Sequence, residues 1–203
     1  MHIPRANTEN MEILSFKDAE HLSTSDSYDK QRWLYVPDFY TEYRYVLGTR
    51  GQNPVICAGI NPSTAQPDQL DPTLQSVSRI SYSNNYDSWL MFNVYAQRAT
   101  IPDDMDLERN ELLHRENMNA FQSLLEYASS GGNIPVIWAA WGAIIEKRRW
   151  LKSCVVDMFT IAESYHAQWV CAGKCTKNGH PHHPLYLKKD ESFHPFDIGG
   201  YLA

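Results

Sequence analysis

The sequence predicts a three-layer α/β/α domain around a central, mostly parallel sheet of four strands, with a small antiparallel extension ahead of it. Three observations carry that expectation. Four short runs, at residues 55–60, 89–94, 136–140 and 168–171, are apolar almost throughout instead of alternating, as strands covered on both faces are. Segments with helix-start signals or helical spacing separate them. The runs end at small polar, asparagine or glycine exits, and in open α/β sheets ligands bind at such carboxyl ends.

The elements follow in order. Residues 1–30 are polar and mixed, with a short helix expected around Met11–His21 and a loop at Ser23–Ser27. Trp33–Val36 and Tyr43–Leu47 are rich in β-favouring residues and read as an antiparallel edge. Residues 1–40 are therefore expected as an N-terminal extension, and 41–203 as the main domain. Val55 to Ile60 is the pivotal strand, ended by Asn61-Pro62-Ser63 because proline cannot donate to a ladder. Asp71-Pro72 is a helix start, a capping side chain followed by proline in the first turn. The second strand ends at Asn93, and a polar loop through Arg98 follows. Leu112, Leu113, Met118, Phe121, Leu124 and Leu125 mark the core side of a helix expected over 107–128, which Gly131-Gly132 stops. The third strand reaches Trp141-Gly142. A single helix is expected from Ala143 towards Tyr165, with Lys147, Arg148 and Arg149 on its solvated face. The fourth strand runs into a loop holding His180, His182 and His183, and the tail reads as irregular.

Composition bounds the function. The 203 residues suffice for one domain with a substantial core. A net charge of −6 argues against coating nucleic acid by bulk electrostatics, though not against a local basic rim. No apolar run reaches the length of a membrane span and no signal-peptide pattern opens the chain, so no membrane partner, a cytoplasmic location and a monomer are expected. The four cysteines, Cys57, Cys154, Cys171 and Cys175, are expected as reduced thiols.

The exits bring chemistry together. An asparagine amide offers one acceptor and two donors, which matches a nucleobase edge, and it recurs at Asn61 and Asn93. A histidine in the last loop can donate to a developing anion or move a proton. Asp71 reads either as a general base or cation stabiliser, or simply as the helix cap. Cys171, Cys175, His180, His182 and His183 crowd one loop, but their spacing is not that of a common zinc site, and no metal or cofactor is expected.

The ordered motifs Gly59-Ile60-Asn61-Pro62-Ser63-Thr64-Ala65, Asp71-Pro72-Thr73, Asn93, Arg98-Ala99-Thr100, Ala140-Trp141-Gly142, Thr176-Lys177-Asn178-Gly179-His180-Pro181 and His183-Pro184-Leu185-Tyr186 resemble a bacterial and phage family known as domain of unknown function 1643, over roughly residues 43–190. The layout resembles more distantly the uracil-DNA glycosylase superfamily. Its first motif looks like Gly59-Ile60-Asn61-Pro62, its strand-two asparagine falls at Asn93, its strand-three Trp-Gly at Trp141-Gly142, and its His-Pro loop at His180-Pro181 or His183-Pro184-Leu185.

That second resemblance implies a DNA glycosylase-like hydrolase acting on a flipped base and leaving an abasic site. Asn61 would position water or support the sugar cation, with Asp71 recruited because an amide cannot take a proton. His180 or His183 would stabilise the departing base. Asn93 would read the base edge, with Ser63, Tyr95 and Trp141 as further base-binding candidates. Arg98, Lys174, Lys177 and Lys188 are the candidates for DNA contact. Departures from the superfamily at Asn61, Ser63 and the histidine loop point away from plain uracil and towards a modified base of the kind phages install. A non-catalytic module that recognises a modified base, and a nucleoside or nucleotide hydrolase, are the alternative readings.

Overall fold

The computed structural model describes residues 7–203, so residues 1–6 of the expected N-terminal extension lie outside the described residues. Seven strands form one sheet: β1 (Trp33–Val36), β2 (Val46–Thr49), β3 (Pro54–Gly59), β4 (Ser88–Asn93), β5 (Val136–Ala139), β6 (Gln168–Ala172) and β7 (Phe193–Pro195). Their spatial order is β1-β2-β4-β3-β5-β6-β7. The pairs β3 with β4, β3 with β5 and β5 with β6 are parallel, whereas β1 with β2, β2 with β4 and β6 with β7 are antiparallel.

The expectation of a mostly parallel four-stranded sheet with a separate antiparallel extension is therefore corrected to a seven-stranded mixed sheet. β1 and β2 are strands of that sheet, and β2 bonds directly to β4. Both are buried along their whole length, so no alternation marks where the sheet ends. The tail expected as irregular supplies β7, whose three residues are too short to show any period, and a helix behind it.

Among the described residues five α-helices accompany the sheet: α1 (Phe16–Leu22), α2 (Pro72–Ser83), α3 (Glu111–Ser129), α4 (Leu151–Glu163) and α5 (Ile198–Leu202). Residues of β3 alternate between faces. Ile56 and Ala58 join Phe121, Leu124, Val155 and Met158 in a core under α3 and α4. Val55 and Cys57 join Leu74, Val77 and Ile80 of α2 on the other face.

Local chemistry sets the helix ends. Asp71 caps α2 by accepting from the Leu74 N–H at 2.9 Å, with Pro72 in the first turn. Asn110 caps α3 in the same way, so the helix begins at Glu111 instead of Leu107. This start leaves Leu112, expected in the core, on the exposed side. The helix expected from Ala143 is broken. A 3-10 turn spans Gly142–Lys147, Arg148 is extended, and α4 starts only at Leu151. The break has a cause: the Arg148 guanidinium donates to the carbonyls of Asp103, Met105 and Asp106, tying two loops together instead of facing solvent.

Gly48 is where β2 approaches β4 most closely, because a Cβ built there would stand 2.3 Å from the carbonyl oxygen of Trp89 and 2.8 Å from Cα of Leu90. Backbone cannot move aside as a flexible side chain can. Gly48→Ala is expected to destabilise the fold by about 1–3 kcal/mol, the usual cost of overpacking, seen as a lower urea midpoint with an unchanged m value.

Candidate functional site

The carboxyl ends of β3 and β4, the 3-10 turn after β5 and the loop after β6 converge on a cavity of about 390 Å³. Its wall includes Asn61, Ser63 and Thr64 after β3, Asn93 at the end of β4, Asp71 to Leu74 at the start of α2, and Thr100, Ile144, His183 and Leu185 from the surrounding loops. Arg44, just ahead of β2, completes it.

The Asn93 side chain occupies an unusual position. It is 1% exposed, and neither its Oδ1 nor its Nδ2 has a hydrogen-bond partner. Buried amides are almost always satisfied, and this one is left without a partner in the cavity wall. Two neighbours fix its place. Gly59 stands opposite Asn93 in the β3–β4 register, and a Cβ there would come within 2.4 Å of the Met91 methyl and 3.0 Å of the Asn93 Oδ1. Asn117 of α3 donates to the Asn93 carbonyl at 2.9 Å and so anchors the strand exit.

Asn61 is fixed differently. Its Nδ2 donates to the carbonyls of Ala99 at 2.8 Å and Pro62 at 3.1 Å. Both donors serve the backbone, which leaves its Oδ1 as the atom to meet a ligand or water. Asp71 uses Oδ1 on the α2 cap, and its second oxygen remains for the cavity. The cap reading is met, and the same side chain stands in the cavity wall.

His183 is held below the ordinary histidine value of 6.5 by burial, with the opposing pull of Asp71 weaker. Its Nδ1 accepts from the Leu185 N–H at 3.4 Å, which assigns the proton to Nε2 in the neutral ring. A neutral imidazole with an Nε2 donor thus borders the cavity.

The other predicted residues lie elsewhere. His180 is 2% exposed and fully engaged, its Nδ1 2.9 Å from the Tyr201 hydroxyl and its Nε2 3.0 Å from Glu146. It pins the last loop to α5 and is not in the cavity wall. Trp141 is buried among Trp169, Phe196 and Tyr201, and Tyr95 is buried with its hydroxyl accepting from Asn110. Neither reaches the cavity. Arg98 is buried as well. It donates to the carbonyls of Ser63 at 2.6 Å and Tyr43 at 3.4 Å and to the Tyr35 hydroxyl at 3.0 Å. It clamps the loop after β3 to the antiparallel edge and is not presented for DNA contact. Lys174, Lys177 and Lys188 are exposed. Cys171 and Cys175 bring their sulfurs to 3.9 Å, but among the described residues no group of three or more His, Cys, Asp or Glu side chains could hold a metal ion. No helix of the described residues is long and apolar enough to cross a membrane.

Sequence reasoning missed Arg44, Thr73, Thr100 and Ile144 as wall residues. Arg44 carried a signal as a lone charge in the otherwise β-like run Tyr43-Arg44-Tyr45-Val46-Leu47, and Thr73 and Thr100 each end one of the ordered motifs.

His183 and His114 are both shifted downwards by burial, His114 against a 2.8 Å contact with Asp157. Each folded-state midpoint is expected below 6.5 in a histidine NMR titration. The unfolded chain then takes up protons first as pH falls, so the stabilisation is complete above 6.5 and is lost as pH drops through the folded values. Unfolding free energy measured across that window is expected to fall with pH, and His183→Asn is expected to flatten the slope.

Residues 44–185, more than two thirds of the chain, match the family described as Protein of unknown function (DUF1643). No curated protein and no solved structure matches the chain. The likeness to the uracil-DNA glycosylase superfamily accordingly rests on the sequence motifs alone.

Proposed function

The chain belongs to the DUF1643 family, and we propose that its cavity belongs to a DNA glycosylase-like hydrolase that removes a flipped, modified nucleobase and leaves an abasic site. The observation that carries the reading is the free amide of Asn93, buried, anchored by its backbone and facing the cavity with an acceptor and two donors. That pattern suits the hydrogen-bonding edge of a base taken out of its stack. A cavity of about 390 Å³ leaves space for a base with an added substituent.

The groups around Asn93 suit cleavage of an N-glycosidic bond. The bond between C1′ and the base nitrogen breaks with both electrons going to the base. Asp71 offers negative charge to the oxocarbenium-like sugar that results. The Asn61 Oδ1 orients a water that adds to C1′, and the released proton passes to Asp71 or solvent. The Nε2–H of His183 donates to the departing base. His183 takes this role and not His180, whose ring nitrogens are both occupied.

The rim favours a nucleic-acid substrate. Leu185 and Tyr186 are 44% and 77% exposed beside the cavity mouth, and Ile101 is exposed next to the wall residue Pro102. Exposed apolar side chains at a mouth can fill the gap a flipped base leaves, and Lys188 follows them for phosphate contact. A second reading, a module that recognises a modified base without cutting, is favoured by Asn61, since its amide cannot accept a proton. A hydrolase of free nucleotides fits the same wall without the rim.

Incubation with DNAs carrying uracil, hypoxanthine, mismatches or hydroxymethylated and glucosylated bases, followed by alkali, separates these readings. Alkali-labile breaks on one substrate are expected. Asp71→Asn is expected to lower the rate by roughly 10²–10³-fold with binding retained. Asn93→Ala is expected to weaken discrimination of the base by about 1–3 kcal/mol. Binding of one modified DNA without breaks would select the recognition module, and neither binding nor breaks would reject the DNA reading.

A further inference from the structure

Arg44 stands in the cavity wall, 1% exposed, with no carboxylate in ion-pair contact among the described residues. Its Nη1 donates to the Ala65 carbonyl at 2.8 Å, but its Nε hydrogen has no acceptor. A buried guanidinium is ordinarily matched by a carboxylate or by a full set of acceptors, because its five donors leave water together. Arg98 shows the contrast. It is equally internal, but its Nε and both terminal nitrogens have acceptors, two of them carbonyls of the loops it clamps.

The charge around Arg44 is also unbalanced. Burial lowers it most, to about 9, and the neighbouring Arg98 charge pushes in the same direction. Tyr35 and, from beyond ion-pair distance, Asp71 pull the other way but more weakly. Arg44 therefore remains a cation at neutral pH, with repulsion from one side and an unused donor. The first turn of α2, from Pro72 to Leu74, lies in the same wall, its N-terminus already capped by the Asp71 carboxylate.

We infer that Arg44 is a ligand-binding residue that seats an anionic oxygen, phosphate or carboxylate, in the cavity beside the Asn93 amide. The inference rests on the base-excision reading of this cavity and narrows its substrate to a nucleotide with negative charge close to the base. That charge belongs either to the nucleotide's own phosphate or to an acidic substituent on the base. A guanidinium fork suits both, since it meets two oxygens of one group at once.

The test needs no DNA. The full ¹⁵N-labelled chain is titrated with sodium phosphate, sodium acetate or sodium chloride at matched ionic strength while the Arg44 Nε–H resonance is followed. Arg44→Lys, which keeps the charge and lacks that group, assigns the signal. A saturable shift with phosphate or acetate and none with chloride is expected, and Arg44→Gln is expected to weaken anion binding at least about tenfold. A response to phosphate alone assigns the nucleotide's phosphate, and a response to acetate assigns a carboxylated base. An unmoved Arg44 resonance, which requires no variant to fold, or undiminished anion binding in Arg44→Gln, would overturn the inference. Base excision with Arg44 unmoved would leave the proposed function standing and reject this inference alone. Anion binding without excision would do the reverse.

Discussion

The parallel pairing of β3 with β4, which sets Gly59 beside Asn93, is the constraint on which the site depends. β3 lies in the middle of seven strands with a parallel neighbour on each side, so three strand exits leave the same edge together. At that edge a Cβ on residue 59 would displace the flexible Met91 methyl, 2.4 Å away, and crowd the Asn93 Oδ1 at 3.0 Å. Glycine there lets Asn93 stay buried without being used by the protein. Asn117 and Arg98 then hold the two exits, the first through the Asn93 carbonyl and the second through the Ser63 carbonyl. The strand ends are rigid because their backbone groups are bonded, and the free amide is displayed because its own groups are not.

The polar groups inside this half of the molecule divide into those that hold the fold and those that do not. His180, Arg98 and Arg148 have their donors spent on loops, a hydroxyl or a carboxylate. Asn93 and Arg44 have donors left over, and both stand in one wall. Unsatisfied buried polar groups oppose folding, and two of those in this molecule, on Asn93 and Arg44, stand in the same cavity wall. Asp71 and Asn61 lie between the two classes. Each uses part of its side chain on a cap or a loop and presents the remainder. In such sites the same atoms that set geometry also set chemistry.

Much of this was legible in the sequence, for physical reasons that differ by element. The apolar runs of β3, β4 and β5 are recognisable because strands covered on both faces need no alternation. Asp71-Pro72 was legible as a helix start because capping and a fixed φ are local properties. The asparagines at the strand ends stood out because the same amide, with one acceptor and two donors, recurs where two buried runs stop. Other features depend on contacts distant in sequence. β7 exists because residues 193–195 find the free edge of β6, and nothing within those three residues announces it. The helix expected through Arg148 is broken by carbonyls some forty residues away.

The sequence by itself determined the α/β class, the positions of the buried strands, the capped start of α2 and the gathering of polar exits, because periodicity, proline and capping act over a few residues. Tertiary structure alone decided that the sheet is mixed and seven-stranded, since strand pairing is a choice among distant edges. It alone decided that His183 and not His180 borders the cavity, since two histidines three residues apart are alike until Glu146 and Tyr201 claim one of them. It alone placed Arg44 in the wall and Trp141 and Tyr95 in the core. Burial and partnership are properties of the packed chain, and only packing distinguishes a side chain that the fold consumes from one that it leaves for a ligand.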